Sequence, residues 1–175
     1  MNILFAGTPK PSAKILKALC DDPSINVVGV LTKPDKAQKR GKKLVQSPVG
    51  IEAQERNLTM FKPDDLNALK LKQSIKALSV DFVVVAAYGK ILPKWLLDFP
   101  KIMPINIHYS LLPKYRGASP IQSSLLNGDC ISGITFMNMS EGLDDGKTAQ
   151  KKRWAGNLVR ILKKKKNEVK NHQNS

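Results

Sequence analysis

The chain has 175 residues, of which 42% are hydrophobic, 6% aromatic and 25% charged, and its formal net charge is +15. That length is enough for one domain with a hydrophobic core. The low aromatic content favours an α/β domain with a Val/Ile/Leu-rich core over a β-sandwich. Two cysteines are too few for a disulfide framework, and no apolar run approaches the roughly 20 residues of a membrane span. The N-terminus lacks a secretory signal pattern, so we expect a cytosolic protein.

The hydrophobic pattern alternates between strands and helices from the N-terminus to residue 139. The predicted strands are residues 2–6, 25–31, 58–61, 81–87, 104–108 and 131–139, and the predicted helices are residues 12–20, 48–57, 95–97 and 121–127, with another from Asp64 or Asp65 to about Leu78. Residues 33–47 form a predicted structureless loop, of a length that is usually functional inside a compact domain. The alternation predicts a doubly wound, mostly parallel sheet.

The positive charge is unevenly distributed along the chain. Residues 147–175 hold ten Lys or Arg and one acidic residue, so this short end supplies more than half of the excess. In the rest of the chain the excess is concentrated between Lys33 and Lys43, where only Asp35 opposes it. A nucleic-acid partner is therefore a fair inference from that loop and a poor one from the overall charge.

Two polar side chains alternate with apolar ones in the predicted strand at residues 104–108. Period two places Asn106 and His108 on one face, at the strand end where open parallel sheets bind ligands. An amide and a protonated imidazole both donate hydrogen bonds, so together they could stabilise an oxyanion at a carbonyl under attack. The carboxylate that would favour the charged imidazole is expected from residues 142–146. The alternative is that Asn106 and His108 only cap a strand end.

Several long motifs resemble one family. They are ILFAGTP at residues 3–9, TKPD at 32–35, RGKKL at 40–44 with SPV at 47–49, AYGKILP at 87–93, INIHYSLLPKYRGASPIQ at 105–122 and LDDG at 143–146. In this order they resemble the folate-dependent formyltransferases, and most closely those that act on methionyl-tRNA. The resemblance implies a Rossmann-like domain and covers residues 1–146.

The resemblance also assigns residues to roles. It places Asn106, His108 and Asp144 at the catalytic positions, and alignment of LDDG prefers Asp144 to its neighbour Asp145. It implies a folate-binding wall and loop, made of Tyr88, Gly89, Lys90, Ile91, Leu92, Pro93, Ser110, Leu111, Leu112 and Pro113. It implies a tRNA-binding loop with the basic residues Lys39, Arg40, Lys42 and Lys43.

The implied reaction transfers a formyl group from 10-formyltetrahydrofolate to the amino group of methionyl-initiator tRNA, without a metal. The resemblance implies a monomer in the bacterial cytosol or in a bacterium-derived organelle. One alternative is a formyltransferase that acts on a small amine, of the glycinamide ribonucleotide or amino-sugar type. Another is an inactive remnant that only binds nucleic acid.

The resemblance ends directly after the carboxylate motif. The family pattern there reads Leu-Asp-Thr-Gly-Asp, whereas this chain has Leu143-Asp-Asp-Gly-Lys147. Relatives continue with another strand, a closing helix and a C-terminal barrel, none of which is recognisable here. We therefore expect residues 1–146 to be an incomplete catalytic domain without the barrel, and residues 147–175 to be a basic, disordered tail of a truncated or frameshifted chain. The alternative is a natural short variant.

Overall fold

The computed structural model describes residues 1–37, 44–139, 148–152, 162–163 and 166–167. The described strands are β1 (Asn2–Gly7), β2 (Asn26–Leu31), β3 (Lys36–Ala37), β4 (Leu44–Val45), β5 (Met60–Phe61), β6 (Phe82–Ala86), β7 (Met103–His108), β8 (Ile134–Asn138) and β9 (Thr148–Lys152). The described helices are α1 (Lys10–Cys20), α2 (Pro48–Glu55), α3 (Leu69–Lys76), α4 (Lys94–Leu97) and α5 (Pro120–Leu126).

Seven of the strands form one sheet in the order β5-β2-β1-β6-β7-β8-β9. The pairs from β5 to β7 are parallel, whereas β8 pairs antiparallel with both β7 and β9. The near-continuous apolar sequence of β1 and β6 suits central strands that are buried on both faces. The predicted doubly wound, mostly parallel sheet is therefore confirmed.

Alternate residues of the central strands pack into two separate hydrophobic clusters. The first cluster contains Ile3 and Phe5 of β1 together with buried side chains from α1 and α2. The second contains Leu4 and Ala6 of the same strand together with buried side chains from α3 and α4. Each face of the sheet thus has its own layer of helices. None of the described helices is both long and apolar enough to cross a membrane.

Two local predictions are corrected by the structure. The loop predicted to be structureless contains an antiparallel two-stranded ribbon, in which Lys36 pairs with Val45 and Ala37 with Leu44. A ribbon this short has too few residues to show a period in the sequence. The helix predicted to start at Asp64 or Asp65 begins at Leu69. The Asp65 carboxylate accepts from the Asn67 backbone N–H at 2.8 Å and forms a turn instead.

Regular structure also extends past residue 146, where the sequence pattern predicted it to end. Strand β9 pairs with β8 along its length, although its side chains are mostly polar. Backbone pairing needs no apolar side chains, and lysines are common on edge strands because they discourage further pairing. Residues 140–147, 153–161, 164–165 and 168–175 lie outside the described residues, so the boundary at residue 146 and the disordered tail stay predictions.

Short helical pieces at residues 162–163 and 166–167 pack against the sheet. Leu162 is fully buried in the first cluster. The ammonium of Lys166 lies 3.0 Å from the Asp81 carboxylate, and that of Lys163 lies 4.0 Å from Asp22. Among the described residues of the basic end, Leu162 therefore belongs to the core of the domain.

We expect Leu162→Ala to lower the free energy of unfolding by about 2–5 kcal/mol, because it removes buried methyl groups and leaves a cavity. The matched control is Leu126→Ala on α5, where the side chain is 88% exposed and the change should stay within about 0.5 kcal/mol. Urea unfolding of both variants measures the difference. Equal stabilities would show that Leu162 does not pack in the core.

We expect the Asp81 carboxylate to make the free energy of unfolding depend on pH. It accepts from the Asn2 backbone N–H at 3.0 Å and from Lys166 at 3.0 Å. Burial raises the pKa of Asp81, but these two donors outweigh it and hold the pKa below its usual value of about 3.9. A depressed folded-state pKa contributes stability that is present above the unfolded-state pKa and is lost as pH falls through the folded-state pKa.

We therefore expect Asp81→Asn to lower the free energy of unfolding at neutral pH and to flatten its fall below about pH 4. Lys166→Gln should show part of the same change, because it removes one of the two donors. Urea unfolding at a series of pH values gives both slopes. An unchanged acid slope in Asp81→Asn would contradict this account.

Candidate active site

The carboxyl ends of β6 and β7 lie side by side and carry the candidate catalytic residues. In the parallel register Asn106 pairs with Val85 of β6, and in the antiparallel register His108 pairs with Thr135 of β8. Ile105 and Ile107 are buried in the first cluster. The alternation of strand residues then turns Asn106 and His108 to the opposite face, as the period-two pattern predicts.

His108 is the last residue of β7 and is only 5% exposed. Its Nε2 lies 2.8 Å from the backbone carbonyl oxygen of Tyr115. A carbonyl oxygen can only accept, so the ring donates its Nε2–H in this contact. Asn106 is partly buried on the same face, two residues before. The structure therefore brings an amide and a protonated ring nitrogen to one strand end.

The loop after β7 is held to the sheet by a buried hydroxyl. Thr135 is fully buried, and its Oγ1 donates to the Ser110 carbonyl at 2.7 Å and accepts from the Leu112 backbone N–H at 3.1 Å. Ser110 is itself 1% exposed and donates through its hydroxyl to the Lys114 carbonyl at 2.6 Å. Leu111 and Leu112 are partly and fully buried, whereas Pro113 is exposed after a cis peptide bond. The predicted folate loop thus has a defined path beside His108.

The second predicted folate element, residues 88–93, follows directly after β6. Gly89 has a φ of +75°, a left-handed conformation that favours glycine, and a side chain there would require the flexible end of Lys33 to move. Lys90 donates to the carbonyls of Pro63 and Asp64, each at 2.7 Å, and ties this segment to the loop before α3. Ile91 is 81% exposed. The segment is therefore anchored at its base and presents an apolar side chain.

The first residue of that segment, Tyr88, carries a buried hydroxyl group without a hydrogen-bond partner in the described part of the chain. Tyr88 is 1% exposed, and its hydroxyl has no hydrogen-bond partner among the described residues. Burial raises the pKa of Tyr88 to about 12, so the group stays neutral. Leu92 is 5% exposed, and Pro93 is partly buried just before α4.

The turn from β1 into α1 is closed by hydrogen bonds to the β6 end. The Thr8 hydroxyl donates to the Tyr88 carbonyl at 2.9 Å, and the Ser12 hydroxyl lies 2.6 Å from the Ala86 carbonyl. The Tyr109 hydroxyl lies 3.2 Å from Ser12 Oγ, and burial raises the pKa of Tyr109. The hydroxyls of Thr8 and Ser12 are both hydrogen-bonded to backbone carbonyls, so they are not directed at a ligand.

Five of the predicted site residues lie outside the described residues: Asp144, Lys39, Arg40, Lys42 and Lys43. Their roles stay predictions. The contacts of Tyr115 and Thr135 with the site were missed, although Thr135 lies in a predicted strand and Tyr115 in the motif at residues 105–122. The Thr135 contacts come from pairing between distant segments and the Tyr115 contact from the path of a short loop, and no periodic signal in the sequence marks either. Among the described residues, no cluster of three or more His, Cys, Asp or Glu is placed to hold a metal ion.

Comparison with solved structures finds the same fold. The phosphoribosylglycinamide formyltransferase of Bacillus halodurans is 19% identical with a TM-score of 0.66, and 97% of this chain and 88% of that chain are covered. The corresponding enzyme of Streptococcus pneumoniae is 20% identical with a TM-score of 0.63, and 96% and 91% are covered. A sugar N-formyltransferase from a Shewanella species is 21% identical with a TM-score of 0.57, and 99% and 68% are covered. At these identities the likeness shows the fold alone.

A family model described as formyl transferase matches residues 1–168. The match includes β7 with Asn106 and His108, and it continues beyond residue 146 through β9 and Leu162. Since it spans nearly the whole sequence, the chain belongs to the formyl transferase family.

Proposed function

We propose that this chain transfers a formyl group from 10-formyltetrahydrofolate to the amino group of methionyl-initiator tRNA. The observation that carries the formyl transfer is the pair Asn106 and His108, which share one face at the carboxyl end of β7 with the histidine buried. Ligands bind at strand ends in this class of fold. The acceptor is argued separately below, because it rests on different residues.

The chemistry of the two side chains suits an acyl transfer. When an amine nitrogen attacks the formyl carbon, negative charge develops on the formyl oxygen. The Asn106 amide and the Nδ1–H of a doubly protonated His108 ring would donate to that oxygen, because the Nε2–H is already donated to the Tyr115 carbonyl. By the sequence resemblance, Asp144 would support the charged ring and assist the movement of the amine proton.

The residues that would hold the folate are the two loops on either side of the β6–β7 boundary. Residues 88–93 offer backbone groups and the exposed Ile91 side chain, and residues 110–113 follow His108 directly. The Tyr88 hydroxyl, buried without a partner among the described residues, is a candidate polar contact. The folate would supply the formyl group, and its nitrogen would leave with a proton.

A small amine is the second candidate acceptor, and the compared structures favour it. They are enzymes whose names specify phosphoribosylglycinamide or a sugar. That likeness is at the level of the fold, and one local feature argues against a phosphate group at the β1–α1 turn. Pro9 and Pro11 remove two backbone N–H donors from the start of α1, and the hydroxyls of Thr8 and Ser12 are directed at carbonyls.

The motif resemblance favours the tRNA acceptor. Its strongest element is RGKKL, which lies in the basic segment between β3 and β4. The ribbon formed by these two strands closes the segment at its base. Four cations in five residues would contact phosphates of an acceptor stem more readily than they would fit a single small substrate.

The acceptor is tested by single-turnover formyl transfer with three acceptors at equal concentration. They are methionyl-initiator tRNA, glycinamide ribonucleotide and a nucleotide-linked amino sugar. We expect kcat/KM for the tRNA to exceed the others by at least about a hundredfold, the ratio that about 2.7 kcal/mol of differential binding produces. A higher value for either small amine would reassign the acceptor. No transfer to any of the three would favour the inactive, nucleic-acid-binding alternative.

We expect His108→Ala to lower single-turnover formyl transfer by about 10²–10³-fold, because it removes an oxyanion donor worth roughly 3–4 kcal/mol. Asn106→Ala should act similarly. A loss of less than about tenfold in His108→Ala would rule out this role for the ring. Tyr109→Phe is the matched control, since this neighbour contacts Ser12 of α1 through its hydroxyl.

Neutralising Lys39, Arg40, Lys42 and Lys43 to Gln should weaken tRNA binding and leave folate binding unchanged. Each lost phosphate contact should reduce the slope of log affinity against log salt by about one. The control compares Lys42→Gln/Lys43→Gln with Lys70→Gln/Lys76→Gln, two exposed lysines on α3. The same slope in all variants would mean that the basic loop is only a solvated surface.

A further inference from the structure

We propose that Tyr115 is a positioning residue for His108. Its backbone carbonyl keeps the ring protonated at Nε2, so that gain and loss of the ring proton take place at Nδ1, and its side chain holds that carbonyl in place. The inference rests on the proposed function for the meaning of His108 as a reacting group. The contact itself is independent of which acceptor is used.

The first step of the argument is the contact between the ring and the carbonyl. The distance from His108 Nε2 to the Tyr115 carbonyl oxygen is 2.8 Å, and the histidine is 5% exposed. A carbonyl has no proton to give, so the contact exists only while Nε2 carries one. Water has little access to compete for that proton. Which ring nitrogen is protonated is commonly influenced by the hydrogen-bond partners of the ring, and the carbonyl next to Nε2 favours a proton on that nitrogen.

The second step is what holds the carbonyl. Tyr115 has a φ of +56°, a left-handed conformation that is uncommon for a residue other than glycine and persists when the surroundings enforce it. Its hydroxyl donates to the Asp129 carboxylate at 2.9 Å and accepts from the Asn127 side-chain amide at 3.0 Å. On the preceding residue, the Lys114 carbonyl accepts from Ser110 Oγ at 2.6 Å.

These contacts connect the end of α5 to the catalytic ring. The Asp129 backbone N–H donates to the Ser124 carbonyl at 3.0 Å, so the carboxylate that holds the tyrosine is itself fixed to the helix. A purely structural role for the Tyr115 hydroxyl would affect unfolding and leave the ring proton unchanged. The positioning role predicts that removing the Tyr115 hydroxyl makes the Nε2 proton of His108 exchange faster with solvent.

The experiment observes the His108 ring by two-dimensional ¹H–¹⁵N NMR. The chain has two histidines, His108 and His172, so a spectrum of His108→Asn assigns both signals. In the parent we expect the His108 Nε2–H as an observable, slowly exchanging proton from mildly acidic to mildly alkaline pH. In Tyr115→Phe and in Asp129→Ala we expect that proton to exchange at least about tenfold faster, because the loop opens more often.

Three variants serve as controls. Asp129→Asn keeps an oxygen that can accept from the Tyr115 hydroxyl, so it should restore most of the protection that Asp129→Ala loses. Tyr109→Phe removes a hydroxyl that contacts Ser12 instead, and its exchange rate should stay within about twofold of the parent. Tyr115→Phe/Asp129→Ala should exchange no faster than Tyr115→Phe alone, because Tyr115→Phe already removes the contact with Asp129.

Transfer kinetics give a second readout. In Tyr115→Phe, kcat should fall about tenfold while KM for donor and acceptor stays within about twofold, since the ring is displaced and the substrates are held elsewhere. If Tyr115→Phe does not melt cooperatively, Asn127→Ala is used instead, because it removes the second hydrogen bond of the Tyr115 hydroxyl.

Two results would overturn the inference. One is a neutral parent ring with its proton on Nδ1, and the other is an unchanged exchange rate in both Tyr115→Phe and Asp129→Ala. A chain that shows the expected ring behaviour but transfers no formyl group would instead refute the proposed function. The two proposals therefore fail by different measurements.

Discussion

The candidate site depends on how β7 divides its side chains between the two faces of the sheet. Ile105 and Ile107 are 0% and 2% exposed on one face, and their burial directs Asn106 and His108 to the other. Burying each isoleucine is worth about 1.5–3 kcal/mol. A register slip of one residue would remove both isoleucines from the first cluster and place an amide and an imidazole among its apolar side chains. Pairing with β6 on one side and β8 on the other further opposes that slip.

Short hydroxyl side chains then connect the loops to the strand ends. Thr8 and Ser12 bond to carbonyls at the end of β6, and Thr135 holds the loop after His108 through two backbone groups. Each such bond contributes only about 0.5–1.5 kcal/mol net. Their larger effect is geometric, because a buried carbonyl or N–H without a partner would be costly and the loop has few other ways to satisfy them. Rigid loops in turn hold His108 in one orientation.

The sequence alone predicts those parts of the molecule that repeat along the chain. Alternation within β7 predicted that Asn106 and His108 share a face, and the strand–helix alternation predicted the mostly parallel sheet. The strand order and the β8–β9 pairing have no periodic signal, because they depend on which segments meet in space. The contact between Tyr115 and His108 was not predicted because the path of the short loop between them has no periodic signal. The family resemblance is confirmed at the level of formyl transfer, whereas the roles of the site residues and the acceptor stay predictions.

The basic end of the chain shows why net charge is a weak guide to partners. Leu162 is fully buried, and Lys166 is paired with Asp81. Ion pairs at a partly exposed surface are worth at most about 1 kcal/mol each. Of these two described contacts, the buried leucine therefore contributes more to stability. Lys62 is similarly paired with Asp35 at 2.6 Å. Cations that are paired within the domain attract phosphate weakly, so the case for a nucleic-acid partner depends on the basic residues at 39–43 and not on the overall charge.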